Sequence, residues 1–243
     1  MTILTLVAVL GVIFIAHFVR GTFGFADALI AMPLLAMLIG LKTAAPLVAL
    51  LSLVNALSIL IHSRRHLKFS SAWRLILSTL VGIPIGLFML KGVQENVMRL
   101  ILAIVLIGFP IFQLHRPKKL GLKSERWAPL FGFIAGILGG AYNTNGPAIV
   151  IYAALRHWPP KVFRATLQAY FFSTGLLIVA GHGLGGLWTK EVFTWFGLAL
   201  PVLGLGVFLG TKLHHRLPEG RFDHFVHGLL LVIGVYLLVQ TLL

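Results

Sequence analysis

Six carboxylates occur in the 243 residues, and their placement is uneven. Glu95, Glu125, Glu191, Glu219 and Asp223 fall in connections or at the ends of apolar runs, whereas Asp27 lies within one. A charge inside an apolar segment costs several kcal/mol unless it is paired, protonated or wet, so Asp27 is a functional candidate, here as a proton carrier. The competing reading is an N-cap for a helix starting at Ala28. Two basic residues flank the apolar runs nearby in pattern, Arg20 and Arg164. A guanidinium can hold a carboxylate, sulfite or sulfonate through two parallel hydrogen bonds. Arg164 leads of the two, because Gln168, Tyr170, Ser173 and Thr174 continue a polar stripe from it along an apolar helix. For both, the alternative is an interfacial anchor.

Further polar groups sit among glycines and prolines. Asn143, Thr144 and Asn145 lie between Gly139-Gly140 and Gly146-Pro147, and a second glycine-bearing break runs from Gly21 through Gly24 to Asp27. Helices starting at such breaks offer free N–H groups and a positive dipole end, a seat for an anion. Asn55 stands alone in another apolar run, either at the site or joining helices by a hydrogen bond. The candidate solute-binding set is therefore Arg20, Gly24, Asn55, Gly140, Asn143, Thr144, Asn145, Gly146, Arg164 and Gln168, with Asp27 for proton coupling.

What must position them is a membrane protein. Apolar residues make up 58% of the chain and charged residues 11%, less than half the charged share of soluble domains. Ten apolar segments are expected: about 3–19, 25–40, 43–61, 72–90, 97–114, 127–140, 146–156, 163–181, 191–212 and 222–242. Runs such as Val97 to Phe109 are apolar on every face, which fits helices and not barrel strands. The segments at 127–140 and 146–156 are too short to span alone and read as half-helices.

The net charge of +14 comes from Lys and Arg in the short connections, which fits the positive-inside rule and not a nucleic-acid surface. The basic stretch 116–126 and the Arg64 to Lys68 loop are placed in the cytoplasm, and counting crossings outward gives two halves of opposite orientation: residues 1–115 and 127–243, joined by the linker 116–126. Gly82-x-x-x-Gly86 and Gly206-x-x-x-Gly210 occupy the fourth segment of each half. Inverted repeats with interrupted helices are a recurring plan of secondary transporters. The first apolar run lacks a basic leader and a small-residue cleavage site, so a retained first helix is expected.

These residues resemble the sulfite exporter TauE/SafE family: Gly21-x-x-Gly24-Phe25-x-Asp27-Ala28-Leu29-x-Ala31-x-Pro33, then Gly132-x-x-x-Gly136-x-x-Gly139-Gly140 and Asn145-Gly146-Pro147. The resemblance covers nearly the whole chain. It implies transport of small anions, often sulfur oxyanions, organosulfonates or related carboxylates, across a bacterial inner membrane.

The other chemistries find little footing. There is no cysteine, so thiol catalysis, thiolate metal sites and disulfides are excluded. Ten histidines include His224 and His227 at i, i+3, but no carboxylate set accompanies them, and neither metal nor cofactor is expected. His17 and His182 lie near apolar segments and read as structural. No P-loop is present, and no nucleophile with a positioned base, so an enzyme is the more distant alternative and an anion channel the nearer one. The expected function is secondary active transport of a small anion by alternating access. Its partners are that solute and membrane lipid, with a homodimer as an admissible assembly and no nucleic acid.

Overall fold

The computed structural model describes all residues except 1, 24–25, 64–71, 116–120, 123, 215–220 and 243; side chains at 23, 58–63, 160–161, 164–165, 214 and 221–225 also lie outside the description. The described residues form ten α-helices and no strand: α1 (Ile3–Phe23), α2 (Asp27–Ile39), α3 (Leu41–Ser63), α4 (Trp73–Gly92), α5 (Glu95–His115), α6 (Ala128–Tyr142), α7 (Gly146–Leu155), α8 (Pro160–Leu184), α9 (Lys190–His214) and α10 (Arg221–Leu242). Among the described residues five stretches are long and apolar enough to cross a membrane: Ile3–Thr22, Trp73–Gly92, Glu95–His115, Thr166–Leu184 and Lys190–Leu213. At about 1.5 Å per residue, α6 and α7 reach only about 22 and 15 Å, short of a roughly 30 Å hydrocarbon layer, as half-helices should.

α2, α3, α4, α5 and α9 each contain an internal proline, which removes a backbone bond and would end a helix in water. In lipid no solvent competes for the remaining groups, and neighbouring helices hold the proline-containing segments. Apolar side chains such as Phe88, Phe208 and Val232 are exposed on the outside, as a lipid-facing surface requires.

Two helix pairs pack so closely that backbone meets backbone. A Cβ added at Gly82 would collide with the carbonyl of Phe133, and one at Gly86 with that of Ile137, so α4 lies directly on α6. In the same way a Cβ at Gly206 would lie 2.9 Å from the Phe14 carbonyl, and one at Gly210 would collide with that of Phe18, so α9 lies on α1. The facing glycines correspond too: Gly140 meets Ile83 O and Leu87 N, as Gly21 meets Val207 O and Thr211 N. Small residues give this approach, and close packing replaces the hydrophobic drive that lipid removes. Hydroxyls reinforce both pairs: Thr79 donates to Gly132 O at 2.9 Å and Thr22 donates to Gly210 O at 3.2 Å. α5 packs on α10 and α3 on α8, while α2 packs on α1, α3, α5 and α10, and α7 on α5 and α6.

One expectation changes here. The break foreseen from Gly21 to Asp27 is shorter, because α1 continues through Arg20, Gly21 and Thr22 to Phe23. Gly21 marks a helix contact rather than a helix end, since its hydrogen faces the Val207 carbonyl, 2.6 Å from where a Cβ would sit.

Gly86→Ala should lower the thermal unfolding temperature of the purified protein, with a loss of about 1–3 kcal/mol from forcing α4 off α6. Gly108→Ala is the control, because nothing lies within 4 Å of its added Cβ; equal behaviour of the two would contradict this account of the interface.

Candidate functional site

Both interruptions have definite chemistry. At the end of α6 the Asn143 N–H donates to Gly139 O at 2.8 Å and the Thr144 N–H to Leu138 O at 3.2 Å. Asn143 itself has φ 55°, the left-handed conformation that Asn tolerates better than most residues. That turn ends α6, and Gly146-Pro147 starts α7, proline being suited to a first turn where no N–H is needed. At the other interruption Ala26 has φ 78° and stands immediately before α2. An alanine held there is strained by about 1–2 kcal/mol, which surrounding packing must impose. No side chain caps the N-terminus of α2 or of α7, leaving first-turn amides unclaimed by a cap.

The two interruptions meet around one cavity of about 40 Å³. Its lining comes from α1 (Arg20), the start of α2 (Ala26 to Leu29), α3 (Ser52), the second interruption (Asn143 to Gly146) and α8 (Phe171 and Gly175). On the same measure a single water needs roughly 10–15 Å³, so the space suits a few waters or one small ion.

The charged pair dominates it. Arg20 and Asp27 are 5% and 4% exposed, and Nη1 of Arg20 donates to Oδ2 of Asp27 at 2.8 Å. Ser52 Oγ donates to the same oxygen at 2.8 Å, and His17 Nδ1 lies 4.0 Å from it. Asp27 is the first residue of α2, so the helix dipole also favours its negative charge. The guanidinium stands over the Phe171 ring, 5.9 Å from its centroid. Asp27 is thus not the side-chain cap of the sequence alternative: it faces Arg20 and Ser52. Several donors are left over, among them Arg20 Nε and Thr144 Oγ1, both buried without a hydrogen-bond partner.

The second interruption is braced from behind. Asn145 Nδ2 donates to Thr174 Oγ1 at 3.1 Å, Thr174 donates to Tyr170 O at 2.8 Å, and the Tyr170 hydroxyl shares a 2.8 Å bond with Thr79 on α4. Asn143 reaches Val48 O on α3 at 3.4 Å. Of the predicted site residues, Arg20, Asp27, Asn143, Thr144, Asn145 and Gly146 come together at the cavity. Gly140 instead lies in the α4–α6 contact, its carbonyl bonded to His182 Nε2 at 2.8 Å. Asn55 is buried on α3 with Nδ2 unpartnered, outside the cavity lining. Gln168 is half-buried on α8 and is not part of the cavity lining. Gly24 and the Arg164 side chain lie outside the described residues. Ser52, Phe171 and Gly175 were not foreseen. The one available signal was that Ser52 precedes Asn55 by three positions, placing two polar groups on one face of an apolar helix.

Among the described residues no group of three His, Asp or Glu side chains could hold a metal ion. The family model described as Sulfite exporter TauE/SafE matches residues 9–237. No curated protein and no solved structure matches the chain.

Removing one member of the buried pair leaves the other uncompensated. Asp27→Ala should destabilise the protein by about 3 kcal/mol, whereas combining it with Arg20→Leu should recover part of that loss. Thermal unfolding in detergent checks this, and a double variant less stable than either single one would refute the pairing.

Proposed function

The chain belongs to the sulfite exporter TauE/SafE family, a family of membrane transporters, and we propose that it is a secondary transporter carrying a small anion by alternating access. The observation carrying this reading is a small cavity at the meeting of two interrupted helices, holding a buried guanidinium, unclaimed helix amides and side-chain donors. Donors without acceptors are what an anion needs. Sulfite, an organosulfonate or a small carboxylate matches that size and chemistry. Asp27 takes and releases a proton during the cycle, because its carboxylate shares the guanidinium the solute requires.

Residues 1–115 and 127–243 act in this reading as two repeats of opposite orientation, joined by the basic linker 116–126. The matching glycine contacts of α4 with α6 and of α9 with α1 support it, as does the pairing of α3 with α8 and of α5 with α10. Solute sites at the junction of such repeats, between broken helices, are the usual arrangement. The bacterial inner membrane is the proposed location.

The test is uptake of sulfite into vesicles containing the purified protein, with and without a pH gradient. Saturable uptake driven by the gradient is expected, with Arg20→Gln reducing it about tenfold or more through loss of a charged hydrogen bond. Asp27→Asn should remove the dependence on the gradient. Uptake that never saturates would favour the channel alternative.

A further inference from the structure

The charge balance of the cavity narrows what it can hold, granted the reading of it as a solute site. Arg20 and Asp27 are the charged residues of its described lining, and they neutralise one another. The groups facing the Asp27 carboxylate are Arg20 and His17 from α1 and Ser52 from α3. α5 and α10 also pack on α2, but Arg99 and Glu95 of α5 engage Ala36 O and the Leu41 N–H at its far end, and His227 of α10 lies against Phe109. An anion added to the charged pair would leave a net negative charge in the protein interior, at a cost of several kcal/mol. A proton on Asp27 removes that excess and frees the Nη1 donor. The remaining positive charge then balances one negative charge and not two.

We propose that the cavity selects a monovalent oxyanion and binds it only with one proton on Asp27, the anion replacing the Asp27 carboxylate on Arg20. Asp27 is in effect a tethered anion that holds the seat while the solute is absent. The proton comes from bulk water and forms an O–H bond on the carboxyl, no other bond changing. Over the described lining both the empty and the loaded site are electrically neutral, so a divalent anion of the same size is rejected by its second charge and not by its shape.

Methanesulfonate and sulfate make the comparison, having the same number of heavy atoms but one charge and two. Apparent Kd is measured from ligand-induced thermal stabilisation of the purified protein from about pH 6 to about pH 8 at constant ionic strength. For wild type, methanesulfonate should weaken about tenfold per unit rise in pH, the signature of one linked proton. Sulfate should bind about tenfold more weakly or worse throughout. Asp27→Asn should bind methanesulfonate with a Kd that no longer varies with pH, while His17→Gln keeps the slope. Equal affinity for the two anions, or a wild-type Kd independent of pH, overturns the proposal while leaving the anion site intact; these wild-type results decide it even if the Asp27 variant fails to fold. Binding undiminished in Arg20→Gln, or no binding of either anion, would instead remove the solute-site reading itself and this proposal with it.

Discussion

A broken helix inside lipid has nowhere to send its backbone hydrogen bonds, and most of this architecture answers that constraint. The turn at Asn143 and Thr144 returns two N–H groups to α6, and Asn145, Thr174, Tyr170 and Thr79 form a chain of bonds that ties the next residues to α8 and α4. The start of α2 is enclosed by α1 and α3, with Ala26 held in a conformation it would not choose alone. Of the buried groups still unclaimed, Arg20 Nε and Thr144 Oγ1 belong to residues that line the cavity.

The buried pair obeys a related rule. Arg20 and Asp27 cannot each stand desolvated alone, and the Phe171 ring, Ser52 and the α2 dipole supply the rest of their support. Such a pair adds little stability compared with apolar residues of the same shape. Its presence is therefore not explained by stability alone.

Much of this was legible from residue types. Asp27 stood out because an apolar run tolerates no idle carboxylate, and the two interruptions announced themselves through Gly, Asn and Pro. The partnership of Arg20 with Asp27 was less legible. Arg164 heads a polar stripe along a helix, a pattern that periodicity reveals; Arg20 meets Asp27 across an elbow, and no periodicity describes two residues separated by a bend. Gly21 was ambiguous for another reason: glycine both ends helices and lets them touch, and only the neighbour on α9 decides between these. Phe171 and Gly175 carry no local signal, since their importance lies in which way α8 faces.

The glycine contacts have a mechanical consequence. Where α4 touches α6, and α9 touches α1, backbone meets backbone at the glycines, with short side chains such as Thr79 and Thr22 in the contact. Sliding one helix along the other would drive carbonyl oxygens into α-carbons within a fraction of a residue's rise. Each pair therefore behaves as a single beam of double width. A motion that opened the cavity would then fall on the elbows themselves, or on the sparser contacts that α3 and α8 make with these pairs.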